Sequence, residues 1–205
     1  MPTPVEFFYD YSSPWTYLAF TRIEELCHRH GVPLEWRPML VGGIFNTVNP
    51  SVYESRERPV PAKARYMAKD LQDWAGFYGL RIRFPPSVFP VNSVKSLRGA
   101  LVALEHDVIS RYSHAVFAAY WSADRDISRD DILEPIVREV GLDRQEFFDK
   151  IQRPAYKDRI RANTDDCMRR GGFGSPTLFV GDAMFFGNDR LVLVEHALEK
   201  LSGRR

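Results

Sequence analysis

Sulfur is scarce in this chain of 205 residues: Cys27 and Cys167 are its two cysteines, far apart and outside any CxxC or metal-spaced pattern. A disulfide framework and a cysteine-based metal site are thereby excluded. The usage fits a reducing compartment, with both thiols expected to be buried structural side chains. Nowhere do apolar residues run for the roughly 18 positions that a membrane-spanning helix needs. The opening MPTPVEFFYDYSSPW shows neither a basic nor an apolar leader region, so the expectation is a cytoplasmic protein without membrane contact. An excess of one charge is also lacking. Lys and Arg number 28 against 27 Asp and Glu, a formal net charge of +1, and the basic residues are dispersed, which removes the electrostatic footprint of a nucleic-acid binder. No internal repeat or low-complexity linker interrupts the chain.

What is present is an ordinary globular balance, 44% hydrophobic and 27% charged, in a length that suits one domain or one domain with a sizeable insertion. Val5 to Tyr9 is a short apolar and aromatic run that reads as a buried strand feeding the turn Asp10-Tyr11-Ser12-Ser13. Pro14 suits the first turn of a helix whose apolar face is Trp15, Leu18, Ala19, Ile23 and Leu26, with Gly31 as its stop. Leu34 to Pro38 reads as a second strand, giving a β-α-β unit with parallel strands. The middle is helical: Met67, Leu71, Trp74 and Tyr78 share one face, as do Val94, Leu97, Leu101 and Leu104. Ser128 with Asp131, and Asp143 with Glu146, have capping-box spacing and predict two further helix starts. After Gly171-Gly172-Phe173-Gly174 the pattern returns to strands, Thr177 to Val180 and Ala183 to Phe186 around a Gly181-Asp182 turn. A closing helix through Leu191, Val194, Leu198 and Leu201 is expected to be capped by Asn188 or Asp189. The order fits an α/β chain of thioredoxin-like fold with an all-helical insertion (DsbA-like), residues 1–50 and 171–205 forming the thioredoxin-like domain and 51–170 the insertion.

The turn before the first helix presents unpaired amides and the positive end of a helix dipole, a place for an anion. In a thioredoxin-like fold a redox CxxC sits there. Here the four residues are Ser13-Pro14-Trp15-Thr16, so disulfide exchange is excluded. Two readings of Ser13 stay open on spacing alone: a helix cap, or a hydroxyl donor that lowers the pKa of a thiol brought in by a ligand.

Four segments bear on that choice. They are Asp10-Tyr11-Ser12-Ser13-Pro14 with Tyr17-Leu18-Ala19; Pro38-Met39-Leu40 through Gly42-Gly43-Ile44-Phe45; Lys63-Ala64-Arg65-Tyr66 with Lys69-Asp70-Leu71 and then Phe89-Pro90-Val91-Asn92; and Gly174-Ser175-Pro176-Thr177 with Gly187-Asn188-Asp189-Arg190-Leu191. In this order, from about residue 5 to residue 200, they resemble the bacterial 2-hydroxychromene-2-carboxylate isomerases and the related kappa-class glutathione transferases, a branch of the DsbA-like thioredoxin superfamily. The resemblance implies a glutathione-dependent isomerase, acting on a small aromatic-degradation intermediate as a homodimer. Ser13 would hydrogen-bond the glutathione sulfur and favour its thiolate. A cis peptide would precede Pro176, leaving the N–H and C=O of Ser175 free to pair with the cysteinyl part of glutathione. Gly187, Asn188 and Asp189 would meet its γ-glutamyl end, Asp189 pairing with the α-ammonium group. Asn46 belongs to the same glutathione-binding set but departs from the family pattern, which leads one to expect a lysine there. Trp74, Tyr66 and Phe89 are candidates for an aromatic substrate pocket. Three alternatives remain: a glutathione transferase, a serine hydrolase drawing a base from His28, His30, His106, His114 or His196 without a Gly-x-Ser-x-Gly elbow, and a non-catalytic glutathione-binding module.

Overall fold

The first strand owes its place to composition. Val5–Tyr9 (β1) is β-branched and aromatic apart from Glu6, and Val5, Phe7, Phe8 and Tyr9 are all inaccessible to solvent. Each such side chain contributes roughly 1.5–3 kcal/mol of hydrophobic stabilisation. The strand is therefore central in the computed structural model, which describes residues 2–203. Leu34–Pro38 (β2) pairs parallel with it, from Val5 opposite Leu34 to Tyr9 opposite Pro38. On its other side Thr177–Val180 (β3) runs antiparallel, Val5 facing Val180, and Ala183–Phe186 (β4) completes the order β2-β1-β3-β4.

Alternation along β1 divides the interior. Phe7 and Tyr9 face the large core, which continues through Leu18, Phe20 and Ile23 to Leu97, Leu101, Phe117 and Trp121 without a break. Phe8 faces a smaller cluster with Met39, Ile44, Cys167 and Phe179. Glu6, on the Phe8 side, closes the rim through Arg37 at 3.0 Å and Arg170 at 2.7 Å.

The helix Pro14–His30 (α1) begins and ends as its sequence directs: Ser13 is the N-cap, Pro14 occupies the first turn, and Gly31 adopts the left-handed φ of 64° that stops it. After β2 come two short helices, Val41–Thr47 (α2) and Ser51–Glu57 (α3), then Pro61–Phe77 (α4), Val94–Glu105 (α5), Ile109–Phe117 (α6) with a π-helical turn at Ala118–Ser122, Asp130–Glu139 (α7), Arg144–Gln152 (α8) and Pro154–Arg169 (α9). α9 packs back on α2 and β2 and returns the chain to β3. The final helix, α10, spans Leu191–Leu201.

Two capping expectations are corrected. Ser128 caps nothing: its N–H and hydroxyl both turn to Asp126 Oδ1, at 3.0 and 2.6 Å, and α7 begins after Arg129. The nearer aspartate competes successfully for a side chain suited to local turns. Asn188 and Asp189 do not cap α10 either; they form a 3-10 turn, Asn188–Arg190, and Arg190 takes the cap position without a side-chain hydrogen bond. Asp143 caps α8 as expected, its Oδ1 accepting from the Glu146 N–H at 2.8 Å, but the return half of the box is not made among the described residues: the Glu146 carboxylate turns to His106 and Lys150. Among the described residues no helix is long and apolar enough to cross a membrane, and no three His, Cys, Asp or Glu side chains gather as a metal site.

Candidate active site

The junction of β1, α1 and β3 brings Ser13 and Ser175 together from opposite ends of the chain. Ser13 has extended backbone angles, φ −107° and ψ 121°, the conformation of an N-cap. Its Oγ accepts the Thr16 N–H at 3.3 Å and donates its proton to the Ser175 carbonyl at 2.9 Å. The N-cap is therefore the same residue that the sequence offers as the candidate catalytic hydroxyl. Pro176 follows a cis peptide bond, as do Pro85 and Pro90. The Ser175 N–H has no acceptor among the described residues, and its carbonyl accepts one hydrogen bond, from the Ser13 hydroxyl, leaving a second lone pair.

Two neighbours that the sequence analysis did not single out as site residues complete the junction. Thr16 is fully buried, and its hydroxyl lies 2.7 Å from the Ser175 hydroxyl, which also accepts the Asp10 N–H at 2.9 Å. Asp10 is fully buried too, and its carboxylate accepts the N–H groups of Ser12 and Val41, each at 2.9 Å. Burial pushes the Asp10 carboxyl above its ordinary range, while the donors of Ser12, Ser93 and Val41 pull it back. One side chain thus ties the turn before α1 to the start of α2 and to the helical segment. Trp121, on the π-helical turn, makes a second tie by donating its indole N–H to the Tyr11 carbonyl at 2.8 Å. The only hint of Asp10's role in the sequence was its place two residues before Ser12, the Asx-turn spacing.

Gly187, with a φ of 102°, donates to the Pro176 carbonyl at 3.1 Å and so joins the group. Asn188 is buried, and its Nδ2 has no partner among the described residues. Asp189 pairs with its neighbour Arg190. Beside this corner Arg22 lies 4.5 Å over the Tyr78 ring and donates to the Tyr78 carbonyl at 3.0 Å, a cation that the periodicity of α1 concealed. Asn46 is exposed on α2 and accepts the Tyr53 hydroxyl at 2.8 Å. The nearby Asn49 reaches the Phe173 carbonyl at 3.0 Å, linking the α2 loop to the turn before Ser175.

The aromatic candidates separate. Phe89 is half-buried against Trp121 and Phe84, Trp74 packs between Phe77 and Tyr78, and Tyr66 projects into solvent. Cys27 and Cys167 are buried, each pushed up to about 12 chiefly by burial, and so are held as thiols. Among the described residues no histidine hydrogen-bonds Ser13; His30 pairs with Glu195, His106 with Glu146 and His196 with Glu199. The arrangement lacks the base of a Ser-His-Asp hydrolase.

A sheet in this order, a sulfur-free helix N-terminus and a cis-proline loop against it are now in view. The sequence profile of the DSBA-like thioredoxin domain matches residues 4–199. The chain belongs to that family. Within it the chain belongs to the branch of 2-hydroxychromene-2-carboxylate isomerases and kappa-class glutathione transferases. It is 30% identical over 198 residues to the 2-hydroxychromene-2-carboxylate isomerase of Sphingobium xenophagum, covering 97% of this chain and 99% of that one. To human glutathione S-transferase kappa 1 it is 29% identical over 220 residues, covering 99% and 94%. A solved structure of 2-hydroxychromene-2-carboxylate isomerase superposes with a TM-score of 0.83 at 29% identity, covering 97% of this chain and 96% of that one.

Proposed function

We propose that this chain is a glutathione-dependent isomerase of 2-hydroxychromene-2-carboxylate or a related unsaturated cyclic hemiketal acid. The observation that carries the reading is the Ser13 hydroxyl at the N-terminus of α1, 2.9 Å from the Ser175 carbonyl at the cis-proline loop, with no sulfur at position 13 or 16. A protein so built cannot exchange disulfides through its own residues there, yet keeps the dipole and the donor that stabilise a ligand's thiolate.

Glutathione would lie along the Ser175–Pro176 loop, its γ-glutamyl end toward Gly187, Asn188 and Asp189. The unpartnered Nδ2 of Asn188 supports that placement. The thiolate adds reversibly to the ring carbon skeleton; ring opening, bond rotation and loss of the thiol then give trans-o-hydroxybenzylidenepyruvate, with no net redox change. The helical segment 51–170, inserted into the thioredoxin-like domain of 1–50 and 171–205, would form the substrate side. There Arg56 lies 5.7 Å over Phe45 and 5.5 Å over Phe89, a cation that can meet a substrate carboxylate where Asn46 brings none. A cytoplasmic homodimer is part of the proposal.

The test is turnover of 2-hydroxychromene-2-carboxylate followed by ultraviolet absorbance with and without glutathione. Glutathione-dependent turnover is expected; turnover unchanged by glutathione overturns the reading. The second reading, conjugation of electrophiles, is favoured by the 29% identity to the human kappa-class transferase. It predicts consumption of glutathione with a halogenated aromatic electrophile instead of its recovery.

A further inference from the structure

The Ser13 hydroxyl has one proton, and that proton is engaged: it goes to the Ser175 carbonyl at 2.9 Å. The oxygen meanwhile accepts the Thr16 N–H at 3.3 Å. Toward an incoming thiol the resting hydroxyl can therefore offer only a lone pair. Accepting S–H stabilises the protonated thiol and opposes ionisation, the reverse of what a thiolate-generating site requires. To favour the thiolate, Ser13 must rotate its O–H away from Ser175.

That rotation strips the Ser175 carbonyl of the one hydrogen bond it makes among the described residues, on a residue only 7% exposed. A buried carbonyl left without a donor is unfavourable, so the rotation needs a replacement donor. The Ser175 N–H has no acceptor among the described residues, so this peptide unit is ready to pair with an extended ligand through both its groups. The Ser175 side chain is fixed meanwhile: its hydroxyl is 2.7 Å from the Thr16 hydroxyl and accepts the Asp10 N–H at 2.9 Å.

We propose that Ser13 is a gated donor, whose proton stays on the Ser175 carbonyl until a thiol ligand carrying an amide N–H takes that carbonyl over, and that Thr16 and the Ser175 side chain are positioning residues that hold the carbonyl in place for the exchange. The ligand class follows. Peptide thiols ionise at this site, and thiols without the amide donor bind as neutral thiols. Ser13 keeps its own proton and only redirects it; the thiol proton leaves to water. The inference rests on the glutathione reading above and adds to it the feature of the ligand that switches the site on.

The experiment compares glutathione with its ester analogue, in which the cysteinyl amide N–H is replaced by oxygen, by titrating the thiolate absorbance of each bound ligand against pH. Glutathione's thiol pKa is expected to fall on binding by about one unit or more, a tenfold change in ionisation. The ester analogue's is expected to stay close to its free value. An equal fall for both overturns the gate. Thr16→Val, measured with glutathione itself, should lose at least half of the shift, and Thr16→Ser should restore it. A full shift in Thr16→Val overturns the positioning role, and this arm decides the matter if the ester analogue binds too weakly to titrate. Absence of glutathione binding to the unaltered protein sinks the glutathione reading and this inference together, whereas binding with equal shifts sinks this inference alone.

Discussion

Two regions of the molecule are built on different terms. Around β1, the start of α1 and the loop before β3, buried polar side chains are paired: Asp10, Thr16 and Ser175 answer one another at 2.7–2.9 Å, and Phe117 packs against the rings of Tyr9, Tyr11, Tyr17 and Phe20. The arm formed by α3 and the first half of α4 is the opposite. Every residue from 54 to 69 is exposed, Val60, Tyr66 and Met67 among them. Precision is thus confined to the side that aims a hydroxyl, where small displacements change a hydrogen bond. The other side presents cations and rings to solvent.

The largest expected effect breaks that contrast directly. Phe117→Ala should lower stability by about 3–5 kcal/mol in urea denaturation, since the cavity forms among rings that cannot collapse into it. Tyr66→Ala, at a site in the arm that is 64% exposed, should change stability by less than about 0.5 kcal/mol. Comparable costs would show that the arm is structural core. Next, Ser13→Ala should reduce glutathione-dependent turnover on the order of a hundredfold, the usual cost of one lost donor to a developing anion. The Kd for glutathione should stay within a few-fold, measured by calorimetry, and retention of full kcat would remove Ser13 from the chemistry.

The last prediction concerns pH. Cys27 and Cys167, ordinarily near 9.0, are each pushed up to about 12 by burial, and Tyr9 is raised from 10.0 to about 12 by the same cause. All three bind their protons more tightly folded than unfolded. Their stabilisation is therefore complete below about pH 9 and is lost as pH rises toward 12. Denaturation midpoints that hold steady from pH 9 to 11 would contradict the burial of these groups, as would rapid labelling of either thiol in the folded protein.

Much of the frame was legible because it is local. The bounds of β1 and of the β3–β4 hairpin follow from short apolar runs between turn residues, those of β2 from the alternation of Leu34, Trp36 and Pro38 with charged residues, and α1 announces both its ends through Ser13-Pro14 and Gly31. Local signals failed where two caps competed. Ser128 had an acceptor closer than the helix it was expected to start, and Asn188 was drawn into the interior instead of onto α10. Asn46 was grouped with the site by its place in a motif; in the fold it is exposed on α2, open to a ligand from solvent.

By itself the sequence determined the strand and helix order, the absence of sulfur from the helix N-terminus and the identity of the hydroxyl that stands there, because periodicity, turn chemistry and composition act between residues a few positions apart. The tertiary structure alone decided where that hydroxyl sends its proton. Ser13 and Ser175 meet across a separation of 162 residues, and Thr16 finds Ser175 across 159. No local pattern encodes such pairings, which exist only once β1 and β3 have paired and the core behind them has closed.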